Sequence, residues 1–366
     1  MYGVYIHIPF CIQKCNYCDF ASYPNELCRQ NEYIDAVLDE AKEYRGANAD
    51  TVYIGGGTPT CLYNDSLEKL LTGINDIFCI DVNAEFTVEA NPGTLDGTNA
   101  NILRSNGVNR ISIGAQSFSD SELVRLGRIH GASDIKSAVE TARSAGINNI
   151  SLDIMYALPG QTMKSLGNTL DSALKLKPNH LSCYGLKYEP GTPFYNMLRS
   201  GKIDETDDDT FADMYSLICS RLSENGYCHY EISNFSMSGF ESRHNLKYWN
   251  REDYIGLGAA AASCVGNRRW ANTRSIDEYM FGNRITEDYT MSDSETMHEF
   301  IILALRVIKT GVDKNKFREL YNVDFDDMFG AQMKKFSQFL INDKNSVKLT
   351  EQAALVSNSI LCEFVK

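Results

Sequence analysis

Three thiols stand within eight residues of one another, Cys11, Cys15 and Cys18, at a C-x3-C-x2-C spacing. They follow a short strand-like run, Val4-Tyr5-Ile6-His7-Ile8. A tight loop can turn three such side chains toward one point, and thiolates there suit zinc or an iron–sulfur cluster. A closed tetrahedral site takes four ligands, and this stretch supplies three. A structural zinc would draw its fourth from afar, from Cys28 or Cys61. A four-iron cluster on three cysteines instead keeps one iron open for another ligand.

Other residues able to do chemistry recur at regular intervals downstream. Gly55-Gly56-Gly57-Thr58-Pro59-Thr60 removes three successive Cβ atoms, so backbone groups there can lie against a ligand. Glu89-Ala90-Asn91-Pro92, Gln116, Asp153 and Tyr184 follow. Each sits at the end of a run that reads as a strand: 4–8, 51–54, 85–89, 110–113, 149–155 and 180–186. Helical periodicity separates these runs. Ile34, Val37, Leu38 and Ala41 share a face over 33–44, and Leu67, Leu70, Leu71 and Ile74 follow Asp65-Ser66-Leu67-Glu68, a capping-box pattern. Further helices are expected over 133–145, before Gly146, and over 161–176, before Pro178.

Six βα units in a row imply an α/β fold, a parallel sheet curled into an open (β/α)6 partial barrel with right-handed crossovers. In such barrels chemistry sits at the C-terminal strand ends, where these polar residues fall. The expected organisation is a core over 1–235, a connecting region over 236–290 and a small, mainly helical C-terminal domain over 291–366. Phe300, Leu303, Ala304, Val307 and Ile308 mark a helical face in the last of these.

Composition narrows the partners. The chain has 366 residues, 43% apolar and 23% charged, with a net charge of −13. That balance argues against a broad nucleic-acid face or an anionic membrane surface, and no run is long enough to span a bilayer. The opening Met-Tyr-Gly-Val-Tyr runs straight into a strand without a charged, apolar leader, so the eleven cysteines are expected to be reduced and the location cytoplasmic.

Tyr-Ile-His-Ile-Pro-Phe-Cys-x3-Cys-x2-Cys at the start resembles the opening of radical S-adenosylmethionine (SAM) enzymes, in particular the anaerobic coproporphyrinogen III oxidase-like family. The resemblance implies a [4Fe–4S] cluster on Cys11, Cys15 and Cys18, with SAM chelating the open iron and receiving its electron. It assigns SAM contacts to Tyr5, Tyr17, Gly56, Gly57, Thr58, Glu89, Gln116, Arg128 and Asp153. Within these roles Tyr17 lies near the adenine, Arg128 pairs with the SAM carboxylate, and Glu89 and Asp153 accept from ribose hydroxyls or the amino group. His7 faces the same side as Tyr5 and reads as a packing histidine.

Two features separate branches of that family. The porphyrinogen-oxidising enzymes carry Cys-x-Cys at the end of the cluster motif, whereas Phe20 holds that extra position here. They also carry a long N-terminal extension, and only ten residues precede Cys11. Both differences make the chain similar to the haem-chaperone branch, whose cargo is haem and whose partners are haem-accepting proteins, with an electron donor if SAM is cleaved. His244-Asn245-Leu246-Lys247-Tyr248-Trp249 resembles a motif of that branch and makes His244 the candidate haem ligand. The branch's Gly-Ala-His-Ser is replaced by Ala260-Ala261-Ala262-Ser263, without the histidine. The alternatives are oxygen-independent coproporphyrinogen III dehydrogenation, a radical reaction on an unknown small molecule and, against the acidic balance, tRNA modification. The sequence leaves cluster-dependent pairing into a homodimer open and specifies no such contact.

Overall fold

The structure is a computed structural model and describes residues 1–365. Six strands run parallel and in chain order: β1 (Tyr2–Ile8), β2 (Asn48–Gly56), β3 (Cys79–Ala90), β4 (Arg110–Gln116), β5 (Asn149–Tyr156) and β6 (His180–Gly185). Parallel neighbours need a crossover, and helices supply it. These are α1 (Gln30–Ala41), α2 (Asn64–Ile77), α3 (Gly97–Ser105), α4 (Asp120–Leu126), α5 (Ala132–Ser144) and α6 (Met163–Lys175). After β6 come α7 (Pro193–Arg199) and α8 (Asp208–Glu224), then β7 (Cys228–Glu231) and β8 (Asn234–Ser236), which pair antiparallel at the β6 edge. β1 and β6 are not neighbours, so the six-stranded arc stays open as a partial barrel.

The stretch 236–290 does more than connect. After α9 (Arg243–Trp249), β9 (Tyr254–Leu257) adds in parallel to the free side of β1. β10 (Ala262–Val265), β11 (Arg268–Asn272) and β12 (Ile285–Thr290) extend the same sheet antiparallel. Short strands of this kind carry too few residues for alternation to declare them.

Strand alternation builds the core. Val4, Ile6, Ile8, Val52, Ile54, Val88, Ile111, Ile113, Ile150, Leu152 and Leu181 are all buried, packed with helix residues such as Val37, Leu70 and Leu166. The alternate residues face inward, into the arc. A second cluster of buried residues, among them Phe300, Phe317, Phe325, Phe329 and Phe364, gathers the C-terminal stretch. That stretch is mainly helical and also contains a three-stranded antiparallel sheet of Val312–Asp313, Leu340–Asn342 and Ser346–Leu349. Among the described residues no helix is long and apolar enough to cross a membrane.

One expected start signal is used differently. α2 begins at Asn64 without a side-chain cap, so no capping box forms at Asp65–Glu68. Instead Gln30 Oε1 accepts from Tyr63 N at 2.7 Å, and Ser66 Oγ donates to Asn31 at 2.6 Å. The side chains of α1 therefore anchor the start of α2, a tertiary contact that local pattern does not encode.

The same helix fastens the end of β1. Tyr33 Oη donates to the His7 carbonyl at 2.8 Å and accepts from Ala259 N at 2.8 Å. Glu40, buried two turns further on, accepts from Gly258 N (2.9 Å), Asn272 Nδ2 (2.8 Å) and Tyr279 Oη (2.5 Å). Burial pushes its pKa up, with the three donors pulling the other way. Truncation in Glu40→Ala leaves several buried donors unpaired and is expected to cost on the order of 3 kcal/mol in urea unfolding, with Glu40→Gln losing less.

Candidate functional site

The C-terminal ends of the parallel strands surround one cavity of about 470 Å³. Cys11, Cys15, Tyr17, Cys18, Gly56, Gly57, Thr58, Glu89, Gln116, Arg128 and Asp153 all line it. The loop bearing the thiols hangs on the C-terminal end of α4, where helix carbonyls lack intrahelical donors. Asn16 N donates to Leu126 O and Asn16 Nδ2 to Arg125 O, each at 2.9 Å, and Gln13 Nε2 donates to Gly127 O at 2.9 Å. On its other side Gly57 N donates to Ile8 O (2.8 Å) and Thr58 N to Phe10 O (2.7 Å).

Each thiol has a polar side chain beside it. Cys11 Sγ lies 3.6 Å from Thr58 Oγ1, Cys18 Sγ 3.8 Å from Ser22 Oγ, and Cys15 Sγ 3.4 Å from Arg128 Nη1. All three are free, and burial pushes the Cys11 and Cys18 thiols up, with the neighbouring thiols adding to the rise. Three free thiols on one cavity wall are a donor set that suits a [4Fe–4S] cluster with an iron open to the cavity. Arg128 also donates to Gly114 O at 2.8 Å, and its buried Nε has no partner. That unfilled donor fits a ligand carrying a carboxylate.

The opposite wall is built by alternation. Along β4, Arg110, Ser112, Gly114 and Gln116 all face the cavity, while Ile111 and Ile113 face the core. Gln116 ends the strand at φ 62°, a left-handed conformation that redirects the chain at the rim. Asp153 and Met155 on β5, and Ser182 and Tyr184 on β6, repeat the pattern. Tyr53 Oη donates to Glu89 Oε1 at 2.8 Å and Gly56 N to Glu89 Oε2 at 3.0 Å. Ser112 Oγ donates to Asp153 Oδ1 at 3.1 Å. Arg110 is almost fully buried and forms no ion pair among the described residues; its Nη1 lies 3.5 Å from Thr87 Oγ1. The sequence marks only Gln116 on β4 and passes over Arg110, Ser112, Tyr53 and Ser182, which line the same space; Asn91 and Asn245, inside segments that the sequence does mark, line it as well. Period-two reading back from each strand end finds most of them.

Two expected ligand contacts, Tyr5 and His244, lie elsewhere, and His7 is the packing residue that the sequence predicts. Tyr5 does not line the cavity: its ring packs 6.2 Å from that of Tyr53, and its hydroxyl meets His7 Nδ1 at 3.0 Å. His7 is a packing residue whose Nε2 lies 2.8 Å from Ala21 O; burial lowers its pKa to about 4. His244 is the main correction. It is buried on α9, with Nδ1 2.8 Å from Thr51 Oγ1 and Nε2 2.8 Å from the Tyr248 hydroxyl. Its ring stacks on Tyr53, and burial lowers its pKa to about 3. No ring nitrogen is left for an iron. Its neighbour Asn245 is the residue of that segment that reaches the cavity. Ser263, in the segment lacking the family's histidine, accepts from Gly256 N at 2.8 Å and lies outside the cavity lining.

Burial, and then the charge of Asp153, push Glu89 up to about 7, against the hydrogen bonds from Tyr53 and Gly56. Asp153 is also raised by burial. Infrared difference spectra of the ligand-free protein are expected to show a carboxyl band that titrates near pH 7. Glu89→Gln removes that band, and Tyr53→Phe moves its midpoint upward.

Comparisons with known proteins agree with this geometry. Residues 5–173 match the model of the radical SAM superfamily. A Bacillus subtilis protein named "Heme chaperone HemW" is 38% identical over 100% of this chain and 99% of its own length. A protein of the same name from Lactococcus lactis is 37% identical over 99% of this chain and 97% of its own. Coproporphyrinogen III oxidase (HemN) from Escherichia coli, a solved structure, superposes with a TM-score of 0.86 over 99% of this chain and 89% of that one, at 21% identity, which speaks to fold alone. With near-complete coverage at that identity to the HemW proteins, the chain belongs to the radical SAM superfamily and, within it, to the HemW family.

Proposed function

We propose that this protein is a haem chaperone that holds a [4Fe–4S] cluster on Cys11, Cys15 and Cys18, binds SAM in the adjoining cavity and passes haem to haem-requiring proteins. The observation that carries the reading is the convergence of those thiols with Glu89, Gln116, Arg128 and Asp153 on one cavity, in a chain matched end to end by proteins named heme chaperones. When bound, the cluster supplies one-electron chemistry. The chain's own residues supply the rest. Arg128 offers a guanidinium to the methionine carboxylate, Glu89 and Asp153 offer acceptors to the amino group or ribose, and Tyr17 offers a ring at the cavity wall. On this reading the compartment is the cytoplasm, and an electron donor is needed if SAM is cleaved. Phe20, in place of the oxidising enzymes' extra cysteine, favours the carrier over porphyrinogen oxidation.

The contact of Arg128 with the Cys15 sulfur gives that residue a second role, because hydrogen bonds and positive charge at a cluster sulfur favour the reduced state. In EPR-monitored titrations of the reconstituted protein without SAM, Arg128→Gln is expected to lower the cluster's midpoint potential. Arg128→Lys keeps the charge and should fall between that variant and the native protein.

Carrier and enzyme differ in what they leave behind. After anaerobic reconstitution, with SAM and reductant present, the carrier is expected to bind haem stoichiometrically and yield no decarboxylated porphyrinogen. Turnover of coproporphyrinogen with formation of 5′-deoxyadenosine would reverse the assignment.

A further inference from the structure

A haem chaperone needs a surface for haem, and neither His244 nor the inner cavity offers one. His244 is buried with both nitrogens occupied. A space of about 470 Å³ holds one drug-sized ligand, and residues suited to SAM already line it. The open side of the arc remains. β1 and β6 end the six-stranded arc and do not pair with each other, β9 and β8 lying on their outer sides, and an aromatic side chain stands at each: Phe20 at the end of the loop after β1, and Tyr184 on β6. Both line the cavity, yet Phe20 is 62% and Tyr184 42% exposed. β8 covers β6 only from His180 to Ser182, so no strand pairs with the edge beside Tyr184.

The exposure of Phe20 belongs to a fastened loop. Lys14 Nζ donates to Phe20 O at 3.0 Å, and Arg274 Nη2 donates to Asp19 O at 2.8 Å. Tyr23 N donates to Pro9 O at 2.7 Å, and Tyr23 Oη donates to Arg274 O at 2.6 Å. The backbone is thus pinned on both sides of an exposed ring that belongs to none of the hydrophobic clusters among the described residues. Lys187, also on the lining, is exposed and has no hydrogen bond or ion pair among the described residues. Asp19 and Glu189 share the rim, so an anionic group entering there is directed toward Lys187 and Lys14.

We propose that the mouth between Phe20 and Tyr184 is the haem-binding slot. The macrocycle lies against the two rings, and its carboxylates point to Lys187 and Lys14. This rests on the haem-chaperone reading and adds to it where the cargo sits relative to SAM: across the opening of the cavity, on the solvent side.

The test uses the full chain with its cluster reconstituted anaerobically and haemin titrated by its Soret absorbance. Phe20→Ala and Tyr184→Ala are each expected to weaken haemin binding about tenfold. Lys187→Gln weakens binding of haemin and leaves that of its dimethyl ester unchanged. Phe20 is solvent-exposed, so its truncation empties no core, and the SAM-induced change in the EPR signal of the reduced cluster reports that the variants remain folded. Native affinity in the Phe20→Ala/Tyr184→Ala double variant overturns the slot, as does loss of haemin on His244→Gln with both aromatic variants binding normally; either result leaves the chaperone reading standing. A native protein that binds no haemin takes down both.

Discussion

The carbonyl oxygen of Phe10 occupies the space where a residue other than glycine at position 57 would carry its Cβ, 2.5 Å from where that carbon would stand. Two further approaches depend on the same run. A Cβ at 56 would meet the His7 ring at 2.4 Å, and one at 55 would meet the Glu89 carboxylate at 2.8 Å. The bare backbone lets the loops after β1 and β2 zip together beyond the strands, through Gly57 N to Ile8 O and Thr58 N to Phe10 O. Cys11 follows directly, with Thr58 beside its thiol. The glycines serve protein packing before they serve a ligand, and that packing puts the thiols and Glu89 in one place.

The cavity holds charges that do not pair with one another. Arg110, Arg128, Glu89 and Asp153 all line it, and no ion pair joins any two of them. Their hydrogen bonds run mostly to neutral groups: Tyr53 and Gly56 for Glu89, Ser112 for Asp153, Gly114 for Arg128. Charges held out of water without direct partners are costly. They are also in position for a ligand bearing both an ammonium and a carboxylate, which supplies each with its complement and demands little reorganisation. An arrangement already closed into internal salt bridges would have to break them first.

Much of this was legible in the sequence. All six parallel strands, the C-terminal placement of the polar residues and the convergence of eleven named residues on one cavity follow from the order of βα units and from motif resemblance. The expected strand ends differ by a few residues, most at β3, where 79–83 is largely exposed and carries no alternation to read. A reading confined to strand ends finds Gln116 alone on β4, although alternation places Arg110 and Ser112 on the same face. Tyr5 was assigned to the ligand and instead stands behind Tyr53, one strand over in register. The start of α2 and the strands after β8 depend on contacts between distant segments, which spacing does not disclose.

The histidine of α9 shows why residue type alone does not locate a ligand. His244 and Tyr248 are four residues apart, so they share a helical face and bond to each other. Glu85 on β3 accepts from the backbone N–H groups of Arg243 and His244, and Thr51 on β2 holds the imidazole. Trp249 packs against the Arg306 guanidinium, 5.0 Å from its ring centre. His244, Tyr248 and Trp249 are therefore all used in seating the helix, against β2, β3 and Arg306, and Asn245 alone is carried to the cavity. A helix seated in this way closes the end of the arc away from the thiols. The cavity that holds the thiols lies at the opposite end, at the C-terminal ends of the strands, where Phe20 and Tyr184 line it and are exposed, so the packing that removes His244 as a ligand leaves that end as the accessible one.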